Sequence, residues 1–497
     1  MSRVCLCLTS ASVPGAIEQY RRHRHRIDLV EIRVDRLRPS EREKAAEIAE
    51  AVGSGCPAIL TVRLERDGGD WGRRGEDEAA RRSLLLALLE SGYWSYVDLE
   101  SDRPMPEVAS AALSSGVRII RSRHEFGDFL SRRSVDELVA DMERLGADGS
   151  IAKLAADCAG SADLLKLARL GRAVDGRVDT IILGMGEWGA PTRILADRMG
   201  SQWTYTSSIG SDPVAAPGQL DPELMVDLYR IREMTGNTPI YAVVGNPVAH
   251  SRSPRLHNRW LQNAGLPGTY LPIRADDWEM FLETCRLWAI QGLSVTVPFK
   301  RAALESADRP DETALKIGAA NTLIRTGEGW RAANTDADGF LEPLVTALGL
   351  EDRRELKDSR ALIIGAGGAA RAVVHALADS GVRLVILNRS ESKAEALAAE
   401  VGAESGPLDP TSRNRISTGI DFSVQTTSVG MHPLEEGDPL PWWDFGDSRL
   451  AYDLIYRPER TVFLERARQA GLDILNGSAM LEAQARRQFA MFTGRSD

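Results

Sequence analysis

The sequence predicts an α/β protein in two parts: an N-terminal (β/α)8 barrel of the TIM type, then an α/β region containing a Rossmann-type nucleotide-binding domain. In the first 235 residues, short apolar runs alternate with amphipathic segments eight times, which matches the units of such a barrel. In the second part, a glycine-rich motif follows an apolar strand and opens a helical pattern, as in a dinucleotide-binding turn. A doubly wound open sheet is the alternative for the first part.

The eight expected barrel strands are short, and several end on polar or charged residues. We place them at Val4–Ser10, Asp28–Asp35, Ala58–Leu64, Trp94–Glu100, Val117–His124, Gly149–Leu154, Thr180–Met185 and Trp203–Ile209. Amphipathic segments such as Glu41–Val52 and Val135–Leu145 lie between them. Because barrel enzymes keep their active sites at the carboxyl ends of the strands, the polar residues found there are the candidates for chemistry.

Composition indicates a soluble globular protein. The 497 residues are 43% hydrophobic and 27% charged, and the formal net charge of −10 argues against a nucleic-acid partner. No apolar stretch approaches the roughly 18 residues of a membrane span, and the apolar start is too short for a signal peptide. The five cysteines form no C-x-x-C pair. We therefore expect a cytoplasmic protein with reduced thiols, no metal site and no membrane contact.

One segment interrupts the alternating pattern and marks a domain boundary. Glu233–Pro239 combines Gly, Pro, Thr and Asn, and a new strand, Ile240–Val244, follows it. We therefore expect a first domain over residues 1–235. A second domain would span 238–348 and be completed by a C-terminal helix at 476–495, and a nucleotide-binding domain would span 349–475.

Lys153 is a charge in the otherwise apolar sixth strand, Gly149–Leu154. Barrel strands are buried on both faces and normally read as apolar runs, so a lysine there is costly unless it has a function. A desolvated lysine loses its proton more readily and can attack a carbonyl to form a Schiff base. The alternative is a lysine whose ammonium group extends to solvent at the end of the strand.

Other barrel strands also carry charges. Glu31, Arg33 and Asp35 share one face of the second strand by simple alternation, and Arg63 precedes a polar, glycine-bearing loop. A solvated edge strand would explain the first group equally well. His124 closes the fifth strand, where a histidine can serve as acid and base or be merely structural.

Taken together and in order, six motifs of residues 1–235 resemble type I 3-dehydroquinate dehydratase. They are VEIRVD (30–35), TVR (61–63), SRHEF (122–126), AK (152–153), GMGEWGAPTRI (184–194) and APGQ (216–219).

The resemblance implies that Lys153 forms the Schiff base and that His124 is the general acid/base. The other implied roles are substrate binding by side chains that contact the ring hydroxyls, the carboxylate or the lysine. They are assigned to Glu31, Arg33, Arg63, Met185, Arg193 and Gln219, with Arg193 pairing with the carboxylate and Gln219 on a closing loop. One departure is Ala215, where this family often has serine.

The glycine-rich motif of the second part is Gly365-Ala-Gly367-Gly368-Ala369-Ala370. Its backbone N–H groups would bind a pyrophosphate at a helix N-terminus; a purely structural turn is the alternative. The next strand ends in Asn388-Arg389-Ser390, followed by Lys393. An NAD enzyme would place an acid there for the ribose hydroxyl, whereas an arginine suits a 2′-phosphate, so NADP(H) is the expected cofactor.

A second ordered set of motifs resembles shikimate dehydrogenase across residues 238–497. It consists of GNPVAHSRSP (245–254), VTVPFK (295–300), GAANT (318–322), NTD (334–336), DLIYRPERT (453–461) and MLEAQ (480–484). Alone, each is compatible with an ordinary polar turn or a solvated strand end. The resemblance implies that Lys300 and Asp336 are the catalytic pair. It assigns shikimate binding to Ser251, Ser253, Thr296, Asn321 and Gln484.

The order of the two regions resembles a bifunctional type I 3-dehydroquinate dehydratase/shikimate dehydrogenase. That resemblance implies Schiff-base dehydration of 3-dehydroquinate to 3-dehydroshikimate and NADPH-dependent reduction of this product to shikimate. The sequence does not determine the oligomeric state, and a monomeric protein is compatible with it. One alternative is a non-catalytic quinate-sensing regulator, which would have lost its catalytic residues. The other is a C-terminal half that uses quinate and prefers NAD.

Overall fold

A computed structural model describes residues 2–208, 216–327, 329–416 and 419–495. The chain divides into two compact units, Met1–Gln291 and Gly292–Asp497. The first unit contains the predicted barrel and the segment that follows it, and the second contains the glycine-rich motif. None of the described helices is both long and apolar enough to cross a membrane.

Eight parallel strands form a nearly closed barrel, which confirms the (β/α)8 prediction. They are β1 (Arg3–Leu8), β2 (Leu29–Arg33), β3 (Ala58–Thr61), β4 (Tyr96–Glu100), β5 (Arg118–Glu125), β6 (Ile151–Asp157), β7 (Thr180–Met185) and β8 (Trp203–Ser207). The strands follow one another in chain order, and β8 pairs with β1. A single bridge, between Thr180 and Ser201, joins β7 to the segment that leads into β8.

The helices of the barrel follow its strands. They are α1 (Val13–His23), α2 (Ala45–Val52), α3 (Glu78–Leu89), α4 (Pro106–Ser114), α5 (Val135–Gly146), α6 (Ser161–Val174) and α7 (Gly186–Ile194). After β8, the helical stretch is short and contains a π-helical turn, Leu224–Leu228, so the eighth unit is reduced. Short 3-10 turns stand at Val34–Arg36, Pro39–Lys44, Glu65–Asp67 and Ile231–Glu233.

Strand alternation divides the barrel interior into an apolar floor and a charged upper part. The floor is a cluster of buried side chains that includes Leu29, Ile59, Tyr96, Ile120 and Ile151. The next inward positions, two residues further along each strand, include charged groups on several strands. The closed floor therefore leaves space for a site only at the carboxyl ends of the strands.

The remainder of the first unit packs beside the barrel. It contains β9 (Ile240–Gly245), α8 (Ser253–Asn263), β10 (Thr269–Arg274) and α9 (Trp278–Leu287). Strands β9 and β10 are parallel, and α9 packs on α6 of the barrel.

The second unit begins with a small mixed sheet. Its elements are β11 (Ile290–Val295), which crosses the division between the units, α10 (Lys300–Glu305), β12 (Arg309–Pro310), α11 (Glu312–Ile317), β13 (Thr322–Thr326), β14 (Gly329–Ala333) and α12 (Asp336–Ala347). Strand β13 is antiparallel to both β11 and β14. A 3-10 turn, Arg353–Leu356, leads out of this region.

A six-stranded parallel sheet follows. Its elements are β15 (Arg360–Ile364), α13 (Gly368–Asp379), β16 (Arg383–Asn388), α14 (Glu391–Val401), β17 (Glu404–Pro407), a 3-10 turn (Pro410–Ser412), α15 (Arg413–Ile416), β18 (Phe422–Gln425), β19 (Leu450–Asp453), α16 (Val462–Gln469), β20 (Asp473–Leu475) and α17 (Gly477–Thr493). The strand order is β17-β16-β15-β18-β19-β20. This is the 3-2-1-4-5-6 order of a Rossmann domain, as predicted. Helix α17 packs on α12.

Close contact between β7 and α7 requires glycine. A Cβ atom on Gly189 would overlap the backbone of Gly184, whereas a Cβ on Gly55 would meet no atom within 4 Å. Overpacking of this kind costs about 1–3 kcal/mol. We expect Gly189→Ala to lower the midpoint of urea-induced unfolding of the barrel and Gly55→Ala to leave it unchanged. Equal midpoints for the two variants would show that α7 can move away from β7 without loss of stability.

Candidate active sites

A cavity of about 210 Å³ opens at the carboxyl ends of the barrel strands. All eight barrel residues proposed from the sequence line it, namely Glu31, Arg33, Arg63, His124, Lys153, Met185, Arg193 and Gln219. The structure therefore brings together side chains from four strands (β2, β5, β6 and β7), from the segment after β3, from α7 and from the segment after β8. Ala215 lies outside the described residues.

Lys153 is buried within this cavity and does not reach solvent. The residue is only 4% exposed. Its Nζ atom lies 2.9 Å from Asp98 Oδ2 and 3.7 Å from Glu31 Oε1, and 4.3 Å from the centre of the Tyr205 ring. Two carboxylates and an aromatic face thus stabilise a positive charge at this nitrogen. The alternative of a lysine that extends to solvent is excluded.

Arg63 connects the anions that surround the lysine. Its Nη2 atom lies 2.7 Å from Asp98 Oδ2, and its Nη1 atom lies 2.9 Å from Glu100 Oε1 and donates to Ser122 Oγ. Burial alone would raise the pKa of Asp98, but the charges of Arg63 and Lys153 outweigh it and hold that pKa well below its usual value. Asp98 therefore stays ionised beside the lysine.

Strand β4 contributes charged residues that pair with Arg63 and Lys153 and that the sequence analysis did not select. Asp98 and Glu100 point inward from it, and Glu100 also pairs with Arg81 of α3. The signal was available, because the strand reads YVDLE with charges at alternate positions, the same pattern that drew attention to β2. Tyr205 was missed for a different reason: a tyrosine in a strand suggests packing, not contact with a cation.

His124 lies above Ser122 on the same face of β5. Burial, and then the positive charges of Arg63 and Lys153, lower its pKa well below the usual 6.5. Its Nδ1 atom is enclosed and has no hydrogen-bond partner within the described ranges. The imidazole is therefore neutral at physiological pH and available as a base.

The cations of the upper cavity differ in how they are paired. Arg33 makes a bidentate pair with Asp35, at 2.9 and 2.8 Å. Arg193 is 1% exposed, and its Nε and Nη1 atoms have no partner among the described residues. Burial lowers the pKa of Arg193 from 12.5 to about 10, so it remains charged at neutral pH. Its Nη2 atom donates to Pro217 O at 3.5 Å. An enclosed guanidinium with no carboxylate partner among the described residues is suited to bind an anion.

The segment of residues 216–219, which comes after β8, lines the same cavity. Gln219 lines it, and its side-chain oxygen has no hydrogen-bond partner in the part of the chain that the structure describes. Its Nε2 atom donates weakly to Cys7 Sγ at 3.5 Å. Pro217 of this loop accepts a hydrogen bond from the backbone of Gly186 at the start of α7. Met185, just before it, is buried.

A second cluster lies at the start of α12. Lys300 Nζ is 2.6 Å from Asp336 Oδ2. The amide of Asn321 donates to the other oxygen of Asp336 at 2.8 Å and to Thr335 Oγ1 at 2.9 Å. Gln484 of α17 adjoins this group, since its side-chain oxygen lies 3.5 Å from the Asn321 amide. The lysine is thus oriented by an aspartate whose own position is fixed.

The remaining predicted substrate residues lie near the carboxyl ends of β9 and β11. Ser253 is buried at the first residue of α8, and its N–H donates to Ser251 Oγ at 3.2 Å. Thr296 follows β11 and is half-buried. Gln488, which the sequence analysis did not select, donates to the Asn321 carbonyl at 3.0 Å and so supports this cluster.

The glycine-rich turn joins β15 to α13 as predicted. Gly365 has a φ of 113°, and a Cβ there would lie 2.5 Å from Thr426 Oγ1. Gly367 caps α13 without a side chain, and a Cβ on Gly367 or Gly368 would meet no atom within 4 Å. Ala369 continues the first turn. This helix N-terminus is open to a phosphate group.

The end of β16 supplies the residues that would surround a ribose. Asn388 donates to Ser390 O at 2.9 Å, and Ser390 precedes α14 as its N-cap. Arg389 and Lys393 are exposed. The described part of the chain holds no hydrogen-bond or ion-pair partner for the guanidinium of Arg389, which leaves it available for a phosphate.

Known protein families match both the barrel and the region that follows it. The family model described as type I 3-dehydroquinase matches residues 4–235. The shikimate dehydrogenase substrate binding domain matches 243–323, and the shikimate/quinate 5-dehydrogenase model matches 348–424.

The chain is also similar to individual proteins. It is 31% identical to the chloroplastic bifunctional 3-dehydroquinate dehydratase/shikimate dehydrogenase of Arabidopsis thaliana, over 99% of this chain and 82% of that protein. It is 40% identical to the shikimate dehydrogenase (NADP(+)) of Bacillus licheniformis, over 52% of this chain and 92% of that protein. A solved structure of shikimate 5-dehydrogenase from Thermus thermophilus, with NADP(H) and shikimate, is 37% identical with a TM-score of 0.47, over 52% of this chain and 94% of that one.

The depressed pKa of His124 can be measured directly, because the chain has only seven histidines. In NMR spectra of ¹⁵N-histidine-labelled protein, the His124 signal is identified as the one that is lost in His124→Asn. We expect this signal to remain that of a neutral imidazole from pH 8 down to pH 6.5. A His124 midpoint at or above 6.5 would contradict the electrostatic description of the cavity.

Proposed function

This chain belongs to the family of bifunctional 3-dehydroquinate dehydratases/shikimate dehydrogenases, and we propose that it uses the barrel cavity to dehydrate 3-dehydroquinate and the Lys300 cluster to reduce the product to shikimate. It is an enzyme of the shikimate pathway, and NADP is its cofactor. The observation that best supports this proposal is the enclosed Lys153, which shares its cavity with a neutral His124 and with Arg193, whose Nε and Nη1 atoms have no partner among the described residues.

In the dehydration, Lys153 attacks the ring carbonyl after its nitrogen has lost a proton, and water leaves as the iminium forms. His124 then removes a proton from the adjacent carbon, and the electron pair moves into the iminium. The enamine expels the ring hydroxyl, which takes the proton from His124 and leaves as water. Hydrolysis of the iminium releases the product and restores Lys153.

The charges around Lys153 are compatible with these reaction steps. The iminium is a cation in the place of the lysine ammonium, so the interaction with Asp98 Oδ2 is kept through the covalent steps. Arg193 would bind the substrate carboxylate, and Gln219 would close the site over it. Glu31, Arg33 and Arg63 would contact the ring hydroxyls, and Met185 would pack beside the lysine.

In the reduction, Lys300 would donate a proton to the carbonyl oxygen while Asp336 orients its ammonium group at 2.6 Å. NADPH, when bound, supplies the hydride. Ser251, Ser253, Thr296, Asn321 and Gln484 would hold the hydroxyls and carboxylate of shikimate. Asn321 has a second function, because its amide fixes the other oxygen of Asp336.

The residues at the glycine-rich turn fit a dinucleotide phosphate. The open helix N-terminus at Gly367 and Gly368, with Gly365 and Ala369 beside it, would bind the pyrophosphate through backbone N–H groups. Arg389, with Asn388, Ser390 and Lys393, would bind the 2′-phosphate. Residues 1–235 would then be the dehydratase domain, 238–348 with helix 476–495 the shikimate-binding domain, and 349–475 the NADP-binding domain.

The two alternatives are not favoured. A non-catalytic regulator predicts lost catalytic residues, yet Lys153, His124, Lys300 and Asp336 are all present. A preference for NAD predicts an acid at the end of β16, where the chain has Arg389. All five cysteines are free thiols, which supports the cytoplasmic location that we propose. One copy of the chain would carry both sites.

A coupled assay tests this proposal. We expect 3-dehydroquinate and NADPH to yield shikimate, and NADH to be used 10 to 100 times less efficiently because one charge-assisted contact is lost (about 1.5–3 kcal/mol). Arg389→Ala should raise the KM for NADPH by a similar factor without changing that for shikimate. Arg383→Ala, at the opposite end of β16, is the control and should match the wild type. Equal use of NADH and NADPH by the wild type would refute the role of Arg389.

A further inference from the structure

The inner side of helix α7 forms part of the wall of the dehydratase cavity. Arg193 lines the cavity from this helix. At its first residue, the Gly186 N–H donates to Pro217 O of the closing loop at 3.2 Å. A Cβ atom on Gly218 would lie 2.5 Å from the Gly186 carbonyl oxygen, so the loop and the helix are in direct contact.

The outer side of α7 contacts β10 through one arginine. The guanidinium of Arg274 stacks on Trp188, with 4.6 Å between its Cζ atom and the ring centre, and its Nη1 atom lies 3.1 Å from Glu187 Oε2. The Nε atom of the same group donates to Asn246 Oδ1 at 2.9 Å. One planar side chain therefore joins the barrel helix to residue 246.

Asn246 begins the turn of residues 246–251, here called the Asn246 turn, which leads from β9 to the start of α8. Under the proposed function, Ser251 ends this turn and Ser253 follows it, and both bind shikimate. Backbone pairing places Arg274 beside Gly245 in the β9–β10 ladder. The arginine therefore lies next to the residue that immediately precedes the turn. A shift of the turn would displace both serines.

Other contacts join the barrel to the segment that follows it, and they involve none of the residues assigned to substrate binding. The Ser161 N–H donates to Asp276 Oδ1 at 2.9 Å, and Ser161 Oγ accepts from the Asp276 N–H at 3.0 Å. Arg169 of α6 pairs with Glu283 of α9 at 2.6 Å. Loss of Arg274 would therefore leave the packing of α9 on α6 intact and affect the Asn246 turn locally.

We propose that Arg274 is a positioning residue for shikimate, which holds the Asn246 turn against helix α7 so that the dehydratase barrel supports substrate binding by the dehydrogenase. The inference rests on the proposed function of Ser251 and Ser253. The planar guanidinium matters more than the charge, because it stacks on Trp188 while bonding in two directions, which a lysine cannot do.

The test is steady-state oxidation of shikimate with NADP⁺ by the full-length chain. Arg274→Gln and Arg274→Lys should both raise the KM for shikimate about fivefold, as expected for one lost hydrogen bond. The KM for NADP⁺ and kcat should change by less than about twofold. Glu187→Gln, which removes only the barrel partner, should raise the KM for shikimate by a smaller factor. It also provides a second test should the Arg274 variants not fold.

Arg169→Gln is the matched control, because it removes an ion pair from the same interface and should behave as the wild type. An unchanged KM for shikimate in the Arg274 variants would overturn the inference, as would an equal rise in Arg169→Gln. Wild-type protein that does not oxidise shikimate with NADP⁺ would instead refute the proposed function itself.

Discussion

The barrel site depends on the pairing of buried charges around Arg63. This guanidinium contacts Asp98, Glu100 and Ser122 at 2.7–2.9 Å in the centre of the upper barrel. Four buried cations face four buried carboxylates there: Arg33, Arg63, Arg81 and Lys153 against Glu31, Asp35, Asp98 and Glu100. Removal of one partner from such a network leaves an uncompensated buried charge, which typically costs about 3–5 kcal/mol.

This balance defines what the cavity can bind. The four pairs are neutral overall and His124 is uncharged. Among the described cavity residues, Arg193 has no carboxylate partner, and its only hydrogen bond is a long one from Nη2 to Pro217 O at 3.5 Å. An anionic substrate completes the pairing, whereas a neutral one leaves the guanidinium desolvated and unpaired. Under the proposed function, the carboxylate of 3-dehydroquinate would therefore contribute to recognition, and this acid group would orient the ring relative to Lys153.

Much of this arrangement could be predicted from the sequence, because alternation within short strands fixes which residues face inward. Lys153 and the Glu31–Arg33–Asp35 series stood out as charges in apolar strands, and the structure buries them together. Arg81 could not be recognised, since a charge on a helix normally faces solvent. Whether Arg193 is paired or free depends on side chains from several elements, and no local pattern reveals that.

The fold was predictable for a related reason. Eight repeats of strand and helix favour a barrel over a doubly wound open sheet, and the glycine-rich turn between a strand and a helix favours a Rossmann domain. The reduced last helix at Leu224–Leu228 and the contacts of Arg274 with α7 were not predictable. Both depend on how the segment after the barrel packs, which the sequence pattern does not encode.

We infer that buried anions, above all Asp98, would stabilise the cation that Lys153 becomes when it binds substrate. Borohydride reduction in the presence of 3-dehydroquinate tests it, with the modified peptide identified by mass. The wild type and the exposed Lys44→Gln variant should carry the adduct on Lys153, and Asp98→Asn should trap it at least tenfold more slowly, since a buried charge contact of this kind is worth well over 1.4 kcal/mol. An adduct on another lysine would contradict the role of Lys153. Adduct formation in Asp98→Asn at the wild-type rate would contradict the role of Asp98.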